Sequence, residues 1–359
     1  MLTSTIVGLL IGELACRAVG SDVERWHLKN FIVHPLRGES RWNMMQPDAL
    51  LGYVPRAGYS GGTQANHPLM TFDASGLRVN GNPKSGSFDG PPLLVVGDSY
   101  AMGQEVANDQ TLSAHLERLL GRRVLNGGVS GYGLDQAVLR AETLVPTLRP
   151  DTLIVSFIAD DVRRVERRIL WGIDKPYFDV VDGKLVQRNV PVPPPAAAMQ
   201  PLDPVRRVLG YSFLIHSAMI WLDLTHWWLR GQALHADAAH HKGIEVACLL
   251  MDRLRAMGHA RKLRVLIVAQ YTPHAWWSKL SNGESRVADQ VLACGRAHGL
   301  EEIDTLPALE TAVRTDGVKH YYARGGHMND AGNRLIAELL ARRLNGPATE
   351  PGSGKGQQP

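Results

Sequence analysis

The chain has little of what a metal centre, a nucleic-acid surface or a bundle of membrane spans would require. Its 3 cysteines, Cys16, Cys248 and Cys294, form no C-x-x-C pair, which excludes a structural zinc site of the usual spacing. Cys248 and Cys294 read as core-facing helix positions; a disulfide between them needs an oxidising compartment, and sequence does not place them within bonding distance. The charge surplus is only +4, and no basic stripe interleaved with aromatics appears, so nucleic acid is not an expected partner. No apolar run reaches the roughly 20 residues that a spanning helix needs. Hydrophobic residues at 44% and charged ones at 21% nevertheless suffice for a packed core, which excludes general disorder. His235, His240 and His241 cluster by number without a ligand pattern and read as surface residues, so neither metal nor cofactor is expected.

What the chain does have is a strand that stops on a hydroxyl. Leu93, Leu94, Val95 and Val96 are apolar without alternation, as in a parallel strand buried on both faces, and Gly97-Asp98-Ser99 ends the run. Open α/β sheets hold ligands outside the carboxyl ends of their strands, so Ser99 is a candidate nucleophile. The plainer reading of the same residues is a turn with a helix cap. Two later stretches favour the first reading. Val124-Leu125-Asn126-Gly127-Gly128-Val129-Ser130-Gly131 is a short strand entering a glycine-rich turn, and Gly326-His327-Met328-Asn329-Asp330 places a histidine just before a C-terminal helix.

Together with the apolar strand at 152–157 and the Asp160-Asp161 pair behind it, these blocks resemble the SGNH (GDSL-type) hydrolase superfamily, in its membrane-tethered or exported bacterial form. The resemblance covers roughly 91–344 and implies a flavodoxin-like three-layer α/β sandwich with a five-stranded parallel sheet. Strands are expected at 93–96, 124–126, 152–157, 263–269 and 300–304, and helices at 111–120, 135–144, 243–257, 285–298 and 329–344. Leu112, Leu116, Leu119 and Leu120 recur at helical spacing and are expected in the core.

Before this body lie a candidate N-terminal anchor or signal-like segment (1–20) and a β-rich lead-in with a Gly/Pro/Ser linker (21–90). The apolar part of the first segment, 6–15, contains Glu13, has no Lys or Arg before it, and reads either as a weak anchor or as the remainder of a longer leader. Leu14-Ala15-Cys16 is similar to a lipoprotein cleavage site, but Glu13 stands where an aliphatic residue is wanted. Arg17, Arg25, Lys29, Arg37 and Arg41 follow, and the positive-inside rule would hold them on the cytoplasmic side. Localisation is expected to be membrane-anchored or exported, with a cytoplasmic protein as the alternative. Phe72-Asp73-Ala74-Ser75-Gly76-Leu77-Arg78 resembles a phrase that precedes the nucleophile in cell-surface members, and is otherwise an ordinary hairpin. An insertion at about 163–239 holds a hairpin turning on Asp182-Gly183, then an apolar stretch at 208–229 with Trp221, Trp227 and Trp228 that reads as a lid, core or membrane-surface helix. Residues 345–359 lack periodicity and read as a disordered tail.

The resemblance assigns Ser99 as nucleophile and His327 as base, with the backbone N–H groups of Ser99 and Gly131 facing the oxyanion. Two positions depart from the family. Asp160 stands where an Asn would donate a third hydrogen bond, and an ionised carboxylate only accepts. Beside the histidine, where an Asp usually orients the ring, stand Arg324 and Gly325. The Arg324 carbonyl, Asp304 and Asp316 are the candidates for that task, in this order. The expected activity is hydrolysis or transfer of acyl groups, O-acetyl on a surface polysaccharide among them. The alternatives are a catalytically impaired glycan-binding or assembly protein and a lipase or lysophospholipase.

Overall fold

The computed structural model describes residues 2–18, 43–62, 69–81, 88–170, 173–194, 204–222, 224, 242–277 and 282–346. Helix α1 (Leu2–Ala18) is followed by two small antiparallel pairs, β1 (Met45–Asp48) with β2 (Gly52–Pro55) and β3 (Ser60–Gly61) with β4 (Met70–Thr71). Asp48 closes the first turn by accepting the Leu50 and Leu51 N–H groups at 2.9 and 2.7 Å.

Strand and helix then alternate: β5 (Leu93–Val96), the single turn α2 (Ser99–Met102), α3 (Leu112–Leu120), β6 (Val124–Asn126), α4 (Leu134–Leu148), β7 (Thr152–Phe157) and α5 (Ala159–Arg164). The inserted stretch holds β8 (Ile169–Leu170), β9 (Ile173–Asp174), β10 (Tyr177–Val181), β11 (Lys184–Arg188), α6 (Pro204–Leu209) and α7 (Phe213–Trp221). Alternation resumes with α8 (Gly243–Arg261), β12 (Arg264–Ala269), α9 (His274–Trp277), α10 (Asn282–Ala297), β13 (Glu301–Asp304), α11 (Leu306–Asp316) and α12 (Asp330–Asn345).

The large sheet has the order β13-β12-β7-β5-β6 and is parallel throughout. Every residue of β5, β6 and β7 is buried, so helices must cover both faces, which is why these strands read as unbroken apolar runs. The chain leaves β5 toward β6 on one side and returns to β7 on the other. This reversal opens a crevice at the carboxyl end of β5, where Ser99 stands.

The fold class expected from sequence is the one observed, with three differences in detail. Helix α11 was not expected; Pro307 starts it and Leu309 is its one fully buried side chain, so its periodic signal is thin. The apolar stretch at 208–229 is not one helix: the chain breaks around Tyr211, and α7 ends at Trp221. Trp227, Trp228 and the three clustered histidines lie outside the described residues. Leu119 faces solvent at 47% exposure rather than the core.

Two long-range ties hold peripheral segments to this body. Lys175 is buried and donates to the Asp135 carboxylate at 2.6 Å and to the carbonyls of Arg164 and Pro176, fixing the start of the insertion to α4. Cys248 and Cys294 form a disulfide between α8 and α10, with Cα atoms 5.1 Å apart.

Candidate active site

The residues around Ser99 are placed by close backbone approach. Gly97 has φ 154, and a Cβ there would collide with the Ser156 carbonyl of β7, so the turn after β5 admits no side chain. Asp98 caps α2 by accepting the Tyr100 N–H at 2.9 Å, and its other oxygen lies 3.3 Å from Ser99 Oγ. The cap and the candidate nucleophile therefore share the same three residues. Beneath them Arg164 donates to Asp161 at 2.6 Å and to the Tyr132 carbonyl at 3.0 Å, and approaches Asp98 at 3.9 Å. Burial pushes both carboxyls up, and Arg164 opposes the rise in each.

The glycine turn after β6 is laid directly against α2. Gly127 and Val129 donate to the carbonyls of Val95 and Gly97 at 2.7 and 3.0 Å, and a Cβ at Gly128 would strike the backbone of Ala101 and Met102. Ser130 donates to Gln104 at 2.5 Å. The N–H groups of Ser99 and Gly131 have no acceptor among the described residues, so both are available to an incoming oxygen.

His327 reaches this crevice from the loop before α12, whose first turn is capped by the Asn329 side chain accepting from Gly332 at 3.0 Å. Its Nε2 lies 2.9 Å from Ser99 Oγ, and Tyr100 packs against the ring at 5.3 Å while donating to the Gly326 carbonyl at 2.6 Å. Nδ1 lies 3.1 Å from a carboxylate oxygen of Glu105. The same carboxylate accepts the His327 and Gly325 N–H groups, each at 3.1 Å. Burial alone would raise the Glu105 carboxyl, but the His327 ring, the His327 and Gly325 amides and the charge of the imidazolium outweigh it and hold it below the ordinary value.

Glu105 replaces all three candidates for the orienting group. Asp304 accepts from Tyr271 and from the Leu306 N–H at 2.8 and 2.9 Å, Asp316 accepts from Tyr321 at 2.5 Å, and His327 Nδ1 is engaged by Glu105 rather than by the Arg324 carbonyl. The missing Asp beside His327 has a physical counterpart: a Cβ at Gly325 would run into the Glu105 carboxylate. The acid comes from the loop after the nucleophile instead of the loop before the histidine, and the bare Gly325 is the signal that could have located it. Asp160, in the first turn of α5, is engaged by Arg163 at 2.5 Å.

A cavity of about 300 Å³ lined by Asp48, Leu50, Gly76 and Arg140 lies between the lead-in and α4, and neither Ser99, Glu105 nor His327 borders it. Hydrogen-bond geometry, not cavity size, thus marks the chemistry here. An oxygen nucleophile, an imidazole and a carboxylate in series can pass a proton from hydroxyl to ring while the carboxylate fixes the tautomer and stabilises the imidazolium.

Neither a family model nor a curated protein matches this sequence. Among solved structures the chain is similar to LAE5, an alpha/beta hydrolase enzyme from the metagenome of Lake Arreo, at 16% identity and TM-score 0.43, over 73% of this chain and 99% of that one. It is also similar to a mutant of Axe2, an acetylxylan esterase from Geobacillus stearothermophilus (14%, TM-score 0.41, 73% and 97%), and to a lipase/acylhydrolase from Enterococcus faecalis (14%, TM-score 0.40, 71% and 95%).

Proposed function

We propose that the protein is a serine ester hydrolase acting on acyl groups. The observation that carries this reading is the connected series Ser99 Oγ, His327 Nε2, His327 Nδ1 and Glu105, at 2.9 and 3.1 Å. In this reading Ser99 Oγ attacks the ester carbonyl as His327 takes its proton, and the tetrahedral oxyanion is held by the N–H groups of Ser99 and Gly131. Collapse breaks the ester C–O bond, with His327 returning the proton to the leaving alcohol. Water then attacks the acyl-serine by the same proton route and releases the acid. Asp160, paired with Arg163, is not asked to donate. O-acyl groups on a surface polysaccharide are the substrate class we favour, on the resemblance of the sequence blocks; a sugar hydroxyl in place of water would make the same site a transferase.

Fluorophosphonate labelling tests the reading. Adduct on Ser99, absent in Ser99→Ala and accompanied by p-nitrophenyl acetate turnover that His327→Ala abolishes, supports the enzyme. A folded, unlabelled protein that binds acylated glycan supports the binding protein instead.

We also propose an exported or membrane-seated location. The disulfide of α8 with α10 favours an oxidising compartment. Helices α1 and α7 pack together with Glu13 and Arg17 turned into their contact, while Leu10, Ile11, Leu14 and Trp221 stay exposed. Polar groups inside and apolar ones outside suit lipid better than water. No described helix is long and apolar enough to cross a membrane, so the pair would lie in the interface. Flotation with phospholipid vesicles, lost in Leu10→Glu, is the expected result; equal flotation of the variant would sink the idea.

A further inference from the structure

The lead-in residue Arg78 is buried at 2% exposure beneath the loop that carries Glu105, and its side chain makes no hydrogen bond to Ser99, His327 or Glu105. Its backbone is fixed first. Asp73 closes the turn before it by accepting from Ser75 and Leu77 at 2.8 and 3.0 Å, buried Phe72 and Leu77 anchor that turn, and the Arg78 N–H donates to the Asn126 carbonyl at 2.9 Å. Arg78 thereby pairs antiparallel with the end of the edge strand β6.

The side chain then spans the loop. One terminal nitrogen donates to the carbonyls of Met102, at 2.8 Å, and of Gly103; the other donates to the Val106 carbonyl at 2.6 Å. These acceptors stand on either side of Glu105, at the last turn of α2 and just beyond the acid. Guanidinium is suited to this because its nitrogens are held apart in one plane, whereas an ammonium offers a single centre. Gly103 folds the loop tightly, at φ 78, and a Cβ there would press on Thr111 and Val106. No carboxylate among the described residues pairs with Arg78, so its hydrogen bonds go to the loop backbone and, at 3.4 Å, to the Asn108 side chain.

We propose that Arg78 is a positioning residue: it clamps residues 102–106 so that the Glu105 carboxylate meets His327. The proposal rests on the esterase reading for its kinetic consequence, but not for its geometry. Small displacements of an orienting group cost on the order of a hundredfold in rate. Arg78→Lys should therefore lower kcat by roughly 10- to 100-fold with KM unchanged. In a Glu105→Gln background the same change should add less than about twofold, since two residues acting in series do not add. Equal losses in both backgrounds, or unchanged kcat in folded Arg78→Lys, would overturn the proposal. Arg78→Gln, which keeps two donors on a shorter stem, is the second variant; if neither variant folds, Arg78 serves the fold and the proposal falls.

A spectroscopic readout separates this proposal from the esterase reading. The downfield proton resonance of the His327 Nδ1–H, present in the wild type and absent in Glu105→Gln, should be lost in Arg78→Lys. Its retention overturns the clamp even if the wild type hydrolyses no ester. Loss of that resonance in a protein that fluorophosphonate does not label would sustain the clamp and sink only the esterase.

Discussion

Glu105 and Glu13 solve the same problem in two places, and the difference lies in what each one holds. Glu105 accepts the Gly325 and His327 N–H groups of a segment 222 residues away, and Glu13 accepts those of Phe213 and Leu214, 200 residues away. Both carboxyls stay below the ordinary value although burial opposes this, because hydrogen-bond donors favour the charged form, the His327 ring foremost at Glu105 and the Leu214 and Phe213 amides at Glu13. Glu13 has a cation beside it, Arg17 at 2.7 Å, and caps the start of α7. Glu105 holds in addition a ring nitrogen that must stay in one tautomer. One device thus builds a contact at the first site and, in the esterase proposed above, orients the base at the second, and substitutions should separate the two.

The largest effect is expected from Glu105→Gln. An amide can hold the backbone donors but not stabilise the imidazolium, and the corresponding change in a known serine protease lowers kcat by about 10⁴. We expect a loss of roughly 10³- to 10⁴-fold in p-nitrophenyl acetate turnover, and a kcat within tenfold of wild type would end the role assigned to Glu105. Stability supplies the second readout. The folded carboxyl lies below its unfolded value, about 4.3, so the ionised group stabilises the fold above that pH and this contribution is lost as pH falls through the folded value. The gap in Tm between wild type and Glu105→Gln should be open at neutral pH and close on acidification.

The body of the fold was legible because unbroken apolar strands and helical spacing report burial on two faces and on one. The approach of His327 to Ser99 was legible because each lies in a short turn beside such an element, after β5 and before α12. Glu105 was not, since it sits in a short aperiodic loop and its partner is 222 residues away in sequence. Glu13 looked like a flaw in an apolar segment until α7 supplied the amides that explain it. Arg78 belonged to a phrase without chemistry of its own, because its acceptors are carbonyls, which leave no trace in side-chain patterns.

Gly325→Ala sharpens the comparison without replacing either carboxylate. The new methyl would meet the Glu105 oxygens, and Gly325 has no left-handed φ that Ala would strain. The effect should therefore pass through Glu105 alone: a kcat loss of about a hundredfold, with KM and Tm close to wild type. Restoration of kcat by Glu105→Asp in the same chain, which withdraws the carboxylate by one methylene, would place the clash where the structure puts it. If Gly325→Ala keeps full activity, the space beside His327 is not occupied by the acid.

The smallest effect should come from Glu13→Gln, and it should appear where Glu105→Gln is silent. Glutamine still presents one oxygen acceptor but loses the charge that faces Arg17 and the N-terminus of α7. Loss of a helix cap costs about 0.5–2 kcal/mol; retention of one acceptor puts this change toward the lower end. Hydrogen exchange at the Phe213 and Leu214 amides should quicken severalfold, while kcat stays at the wild-type value. The Glu13 carboxyl is held at about 2, against burial, by the Leu214 and Phe213 amides, Ser212 and Arg17, so its contribution is present above the unfolded value and is lost only as pH falls through about 2. The two exchange profiles should accordingly differ at pH 5 and still differ at pH 3, whereas the contribution of Glu105, whose neighbouring cation is the imidazolium of His327, changes over the acid range between its own folded value and about 4.3. A fall in kcat for Glu13→Gln as deep as that of Glu105→Gln would mean that α1 and α7 reach the active site, and the separation of the two carboxylates into a structural and a chemical role would have to be given up.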